Sequence, residues 1–217
     1  MLPNFKERNP DISMTLPEQT VAFSLHGNRY INVTNRCTLS CRYCPKRTSN
    51  WNVGPYNLRL QREPSREEML AAALEPGQYR EIVFGGLGEP TLRLYDVLDV
   101  AAQLHRHGKR VRINTDGLAN IVHGRDITPD FEGIIDAISI SLNAHNEETY
   151  NAHFRPPVPN AFNAVLDFAS RACEFVPTVT LTAIDGLPGI DLERCARLAA
   201  DAGVDFRPRR SAKTEVC

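Results

Sequence analysis

The sequence predicts an α/β fold, an open and partial (β/α)6 barrel of TIM-like type, from three observations. Short apolar runs rich in β-branched residues alternate with segments of helical period. Glycines at 77, 108 and 203 stand just past helical segments, where a left-handed C-cap is wanted. About six strand–helix units fit into 217 residues, too few for a closed eight-stranded barrel at its usual length of about 250. Alternation of this kind means parallel strands joined by helical crossovers.

Residues 1–20 are polar and contain prolines, which predicts a flexible N-terminal leader; residues 21–217 are expected to form a single domain. The run VAFSLHGNRYINVT, from Val21 to Thr34, reads as two short strands around His26-Gly27-Asn28. Further strands are expected at Glu81–Phe84, Arg110–Asn114, Ala137–Leu142, Thr178–Ile184 and Asp205–Arg207. Helical patterns lie at Ser65–Leu74, Leu94–His107, Ala161–Phe175 and Leu192–Ala202. Ser65-Arg66-Glu67-Glu68 is a capping-box start. The one long irregular stretch, Pro45–Pro64, follows the cysteines, and a connection of that length in a compact domain is functional or disordered.

Charge is nearly balanced, with 25 Lys and Arg against 26 Asp and Glu, so no global field points to nucleic acid or an anionic membrane. No run approaches the roughly 18 apolar residues of a bilayer span, and the N-terminus lacks the apolar segment of an export signal. A cytoplasmic location follows as the expectation, and with it six cysteines that stay reduced.

Three of those cysteines form Cys37-x-x-x-Cys41-x-x-Cys44 at the end of a predicted strand. Thiolates this close in sequence can converge on one face of a loop and ligate three corners of a cubane. Structural zinc wants four ligands, and the next cysteine, Cys173, is alone and distant. A ferredoxin uses four cysteines per cluster. Three thiols with one open iron suit chemistry better than plain electron transfer.

This spacing, with the aromatic Tyr43 before the last cysteine, resembles the signature of the radical SAM superfamily. The resemblance implies a barrel of the radical SAM core type and a [4Fe–4S] cluster on Cys37, Cys41 and Cys44. It further implies that the open iron binds the amino and carboxylate groups of S-adenosylmethionine, with Tyr43 against the adenine. Phe84-Gly85-Gly86-Leu87-Gly88-Glu89-Pro90-Thr91 is similar to the superfamily's glycine-rich segment after the second barrel strand, where Gly85, Gly86, Gly88 and Glu89 would receive the ammonium group. Asn114, in Asn114-Thr115-Asp116-Gly117, falls at the C-terminal rim where such folds collect their active sites, although Asp116-Gly117 is equally a plain turn.

Alternation puts Ser139, Ser141 and Asn143 on one strand face, and the resemblance assigns them to the methionyl carboxylate or ribose. Arg155 could pair with that carboxylate through its fork, or lie on the surface. Thr180 to Gly186 resembles the superfamily segment that packs on adenine, which makes Ile184 the candidate apolar contact there, or simply a barrel core residue. His123 falls on a rim loop, Cys173 and Cys195 read as small buried apolar residues, and Cys217 as an incidental thiol. Trp51 and Tyr56 beside basic residues in the Pro45–Pro64 stretch would suit a planar, phosphorylated or nucleotide substrate, or simply anchor the loop.

From about residue 21 onward the wording resembles one subgroup, the TatD-family-associated radical SAM proteins. The shared phrases are Asn35-Arg36-Cys37, Gly88-Glu89-Pro90-Thr91, Asn114 to Asn120 with His123-Gly124-Arg125-Asp126, and Ser141-Leu142-Asn143-Ala144. That label implies a functional link to a TatD-family hydrolase and names no substrate. The superfamily resemblance implies reductive cleavage of S-adenosylmethionine, with electrons from an external donor such as flavodoxin or ferredoxin, to a 5′-deoxyadenosyl radical that abstracts hydrogen from an unidentified substrate. Compact alternatives are 7-carboxy-7-deazaguanine synthases, glycyl-radical-enzyme activases, and a non-catalytic iron–sulfur sensor or scaffold.

Overall fold

A computed structural model describes residues 19–210 of the chain, with the side chain of Arg210 excepted. The expected leader therefore lies, apart from Gln19 and Thr20, outside the described residues, as does Cys217. The chain opens with β1 (Ala22–Leu25) and β2 (Asn28–Asn32), an antiparallel hairpin turned by His26 and Gly27, both at positive φ. After the cysteines come a short α1 (Pro45–Thr48) and a two-stranded ribbon of β3 (Asn52–Val53) and β4 (Tyr56–Asn57). There follow α2 (Arg66–Leu74), β5 (Ile82–Gly85), α3 (Leu94–Arg106), β6 (Val111–Thr115) and α4 (Ala119–His123). The chain continues through β7 (Ala137–Ser141), α5 (Glu147–Phe154), α6 (Ala161–Ala172), β8 (Thr178–Asp185), α7 (Leu192–Asp201) and β9 (Asp205–Arg210).

The main sheet runs β1-β2-β5-β6-β7-β8-β9, and every pair from β2 onward is parallel. Six parallel strands in strict chain order are the partial (β/α)6 barrel that the strand count predicts. Each strand alternates. Ile31, Phe84, Ile113, Ile138, Ile140 and Leu181 join the helix-side core, while Asn32, Arg112, Asn114, Ser139, Ser141 and Thr182 take the opposite parity. The helices present matching stripes, such as Leu94, Val97, Ala101 and Leu104 of α3 and Phe162, Val165, Ala169 and Ala172 of α6, at the three- and four-residue spacing that lines up one helix face.

Helix ends follow local chemistry. Ser65 and Glu68 form the complete capping box, and Gly108 and Gly203 adopt the expected left-handed backbone. Gly77 does not. The backbone leaves α2 extended at Glu75, and a Cβ at Gly77 would lie 2.4 Å from the Tyr79 ring, so an aromatic contact rather than a helix cap calls for this glycine. The Pro45–Pro64 stretch is ordered: Val53, Leu58 and Leu60 are buried, and Trp51 and Tyr56 pack against a second apolar cluster with Phe23, Tyr30 and Val83. Cys195 is buried as expected, but Cys173 is exposed past the end of α6, its thiol donating to the Ser170 carbonyl. No described helix is long and apolar enough to cross a membrane.

Removing the capping hydroxyl with Ser65→Ala should cost about 1 kcal/mol, as lost N-caps do. Chemical denaturation would show this as a lowered midpoint at unchanged m-value, and an unmoved midpoint would remove the box from the account of α2.

Candidate active site

The loop between β2 and α1 carries the three cysteines, with Cys44 as the N-cap of α1 and Pro45 at its first position. Backbone bonds hang this loop on the end of α5: Ser40 N–H donates to the Phe154 carbonyl at 3.1 Å and Arg42 N–H to that of His153 at 2.8 Å. From the other side the Pro45–Pro64 segment clamps it. The Asn35 amide donates to Leu60 O at 2.6 Å and accepts from Leu60 N at 3.0 Å, Lys46 Nζ donates to Asn35 O at 2.6 Å, and Arg36 pairs with Glu63 at 2.7 Å. Lys46 also stands 5.2 Å over the Trp51 ring, so Trp51 anchors the clamp.

The glycine-rich turn after β5 meets the same loop. A Cβ on Gly88 would fall 1.9 Å from the Thr34 carbonyl oxygen and 2.6 Å from that of Arg36, and Glu89 N–H donates to Arg36 O at 2.8 Å. Gly86 has φ of +121° and its Cβ would lie 2.6 Å from Asn32 Oδ1. Both positions need glycine. At Gly88 the backbone it approaches is the protein's own.

Glu89 is 3 % exposed, and both of its oxygens are engaged. Oε1 accepts from Thr91 N, Thr91 Oγ1 and Thr115 Oγ1 at 3.1, 2.7 and 2.8 Å, and Oε2 from Asp116 N at 2.7 Å. Its carboxylate ties the β5 and β6 loops together. Asp116 Oδ1 caps its own turn through Leu118 N at 3.0 Å, and Gly117 at φ +80° completes it, so the turn is real and its carboxylate still lies on the cavity.

A cavity of about 660 Å³ opens on the inner face of the sheet, within the range that holds small ligands and cofactors. Cys37, Cys41, Cys44 and Tyr43 line it at the rim, joined by Gly86, Gly88 and Glu89 of the glycine turn. Asn114, Ser139, Ser141, Asn143 and Ile184 line its wall. Gly85 is not among the residues lining this surface; a Cβ placed on it would meet Asn114 at van der Waals distance. Arg155 is outside the cavity: it closes α5 in a left-handed conformation with an exposed side chain. The arginine that reaches the predicted residues is Arg209, 3.1 Å from Asn143 Oδ1 and 3.5 Å from Ser141 Oγ. Its neighbours Arg207 and Arg112 both contact Ser139. These three escaped the sequence reading, although Arg112-x-Asn114 and Arg207-x-Arg209 carry the same alternation as Ser139-x-Ser141. His123 is also outside the cavity, donating from Nε2 to Thr91 O at 2.8 Å.

The rim is electrostatically crowded. Burial, then the carboxylates of Asp116 and Glu89, push the Cys37 thiol up to about 12, although it opens to solvent on one side. Burial, then the other two cysteines, push Cys41 to the same level. Burial raises Glu89, and burial followed by Glu89 raises Asp116 well above the carboxylate range. Among the described residues no three Cys, His, Asp or Glu side chains are already drawn to metal-holding distance. The donor set nonetheless fits an iron–sulfur cluster: three thiols share one cavity, and Lys46 is the cation whose field favours the Cys37 thiolate against burial and two carboxylates. Asp116 Oδ2 and Asn114 Oδ1 are buried there without a hydrogen-bond partner, polar atoms left over for a ligand. The Tyr43 ring lies 5.5 Å from that of His153, tilted by 42°, and Pro188 O fixes the imidazole through Nε2 at 2.8 Å, so the aromatic wall is held in place.

A half-barrel with a three-thiol loop over the C-terminal ends of its strands defines a class, that of the radical SAM cores. The model of the Radical SAM superfamily matches residues 31–202, and the chain belongs to that superfamily, whose enzymes use a [4Fe–4S] cluster and S-adenosylmethionine. Solved structures with the same fold include TYW1 with a lysine-pyruvate adduct bound, at 15 % identity and TM-score 0.59, covering 85 % of this chain and 65 % of that one. Streptococcus suis SuiB bound to S-adenosylmethionine matches at 15 % identity and TM-score 0.58, over 84 % of this chain and 38 % of its own. The FeFe-hydrogenase maturase HydG from Carboxydothermus hydrogenoformans matches at 19 % identity and TM-score 0.58, over 84 % and 43 %. The chain thus spans between about two fifths and two thirds of the length of these structures. No curated protein matches the sequence.

Gly88→Ala should break the seam between the glycine turn and the cysteine loop, because the new methyl meets backbone carbonyls that cannot rotate away. Iron bound after reconstitution is expected to fall at least tenfold while far-UV circular dichroism keeps its helical signal. Full iron loading would show that the two loops do not depend on each other.

Proposed function

We propose that this chain is a radical SAM enzyme whose cluster sits on Cys37, Cys41 and Cys44 and whose substrate binds inside the open barrel. The carrying observation is that these thiols, Tyr43 and the polar wall of Asn114, Ser141 and Asn143 all line one cavity. Cys37, Cys41 and Cys44 would hold the [4Fe–4S] cluster and the polar wall S-adenosylmethionine, whose one-electron reductive cleavage at the C5′–S bond would supply methionine and a 5′-deoxyadenosyl radical for hydrogen abstraction.

The chain's own residues do the rest. Tyr43, backed by His153, and Ile184 offer flat and apolar surface to the adenine. Asn143 stands at φ +54°, with its backbone N–H donating to Thr182 O at 3.0 Å, so its main chain is locked at the strand end while its side-chain Oδ1 accepts from Arg209 at 3.1 Å. Ser141 and Asn143 offer a hydroxyl and an amide to the ribose or carboxylate. Asn114 Oδ1 and Asp116 Oδ2, both buried and unpaired, are acceptors for an ammonium group. Leu39, Phe154 and Leu187 line the same space and keep water from quenching reactive species. The required electron comes from an external donor such as flavodoxin or ferredoxin. The phrases from Asn35 to Ala144 support placing the chain with the TatD-family-associated subgroup, and with it a functional link to a TatD-family hydrolase.

Anaerobic reconstitution with iron and sulfide, then dithionite and S-adenosylmethionine, is expected to yield 5′-deoxyadenosine and methionine. Cys41→Ala should lose the iron–sulfur charge-transfer absorbance and drop 5′-deoxyadenosine to the level of a protein-free control. A loaded wild-type protein that forms no 5′-deoxyadenosine would leave only the binding function of a sensor or scaffold.

A further inference from the structure

The cavity has two poles of opposite chemistry. Its acidic lining residues among the described ones are Glu89 and Asp116, both at the cysteine rim. Its cationic lining includes Arg80, Arg112, Arg207 and Arg209, gathered where the strands enter the barrel and along β9. Strand alternation places Arg207 and Arg209 on the same face as Ser139 and Ser141 across the sheet.

Arg112 Nη1 and Arg207 Nη2 both donate to the one Ser139 hydroxyl, at 3.3 and 3.4 Å, so the two guanidinium nitrogens stand no farther apart than those distances together. Like charges this close repel, and the described structure does little to offset them. Arg112 is 8 % exposed and meets Glu81 at 3.0 Å, but Glu81 also serves Arg110 at 3.1 Å. Neither Arg207 nor Arg209 has a carboxylate partner among the described residues; each bonds only neutral oxygens. Arg209 Nε is buried without any acceptor. Arg207, part of whose side chain reaches solvent, is pushed down first by burial and then by Arg112 and Arg209, and Tyr30 and Glu81 oppose this only in part. An arginine does not shed its proton to relieve this, so the unmet demand is for an anion.

We propose that Arg112 and Arg207, completed by Arg209, form an anion site inside the barrel that holds a multiply charged oxyanion of the substrate, a phosphoryl group or paired carboxylates. This rests on the radical SAM reading of the same cavity and names the substrate class for it. The single carboxylate of S-adenosylmethionine does not account for the cluster. Ser141 and Asn143, its expected contacts, touch Arg209, whereas Arg112 and Arg207 meet at Ser139, two residues and so roughly 7 Å deeper along the strand. Guanidinium forks match the geometry of phosphate and carboxylate oxygens, and more than one is needed to neutralise a dianion.

The test is calorimetric titration of the cluster-loaded, S-adenosylmethionine-saturated protein with pyrophosphate, citrate and acetate at constant ionic strength. Pyrophosphate or citrate should bind at least tenfold tighter than acetate; preference for the first assigns a phosphoryl group, and for the second a polycarboxylate. Arg207→Gln and Arg112→Gln should each weaken that oxyanion tenfold or more, Arg207→Lys should fall between, and Arg197→Gln, on the exposed side of α7, should change nothing. Arg207 is exposed on the edge strand, so its substitution tests the site even where loss of Arg112 disturbs the fold. Oxyanions that bind no tighter than acetate, or equally well to Arg207→Gln, overturn the site. Tight oxyanion binding by a protein that makes no 5′-deoxyadenosine would keep the anion site and overturn the radical SAM reading instead.

Discussion

At Gly88 the chain passes so close to the Thr34 and Arg36 carbonyls that no side chain fits, and Glu89 N–H then bonds back to Arg36. This seam joins the end of β2 to the end of β5 at the point where the cysteines begin. The carboxylate of Glu89, buried beneath it, extends the join to β6 through Thr115 and Asp116 N. Three successive strand ends are thereby fixed against one another by one glycine and one carboxylate. The cysteine loop, which has little regular structure of its own, inherits its position from this seam on one side and from α5 on the other. A loop that must present three thiols at defined places gains from such external scaffolding, because its own backbone hydrogen bonds are too few to specify it.

The second constraint is the composition of the inner strand faces. A closed barrel fills its interior with branched apolar side chains, and parallel strands buried on both faces read as continuous apolar runs. Here the helix-facing parity is apolar and the inner parity reads Asn32, Arg112, Asn114, Ser139, Ser141 and Thr182. Only at the β1, β2 and β5 edge is the interior filled, by Phe23, Tyr30, Val83 and the ribbon that carries Val53. The rest stays open, with mostly polar strand residues facing apolar groups of the rim loops such as Leu39, Phe154 and Leu187. Buried polar groups cost free energy unless paired, so an inner face of this kind is retained for what it binds rather than for what it stabilises.

Much of this was legible in the sequence, and the failures have common physical causes. The period-2 apolar runs placed all six parallel strands to within a few residues, and the capping box at Ser65 was read correctly because its chemistry is local. Gly77 was misassigned because a ring two residues away, not the helix end, sets its requirement. Of the two readings of Arg155, carboxylate partner or surface residue, the structure shows the second, and the fold brings Arg209 of the last strand to the predicted polar residues instead. Of the two readings of Trp51 and Tyr56, stacking platform or loop anchor, the structure favours the anchor, and an aromatic beside a lysine looks the same in sequence whether it faces ligand or core. For Arg209 and for the aromatic clamp the missing information is long-range pairing; for Gly77 it is the direction of a neighbouring side chain.

Hydrogen-bond accounting separates residues that build this site from those that serve it, where motif membership does not. Glu89 belongs to the motif and lines the cavity, yet each of its oxygens is engaged by the protein: it is a builder. Asn114 Oδ1, Asp116 Oδ2 and Arg209 Nε are equally enclosed and have no hydrogen-bond partner, and unlike Tyr150 OH they belong to residues lining the cavity, where a ligand can satisfy them. Those three atoms do not share one demand. The two oxygens near the thiols want a donor or a cation, and the guanidinium nitrogen wants an acceptor or an anion. A single small ligand at one end of the cavity could not meet both, so the distribution of unmet hydrogen bonds argues for two molecules held along the barrel. The cysteines set the position of the first, and the arginines set the charge of the second.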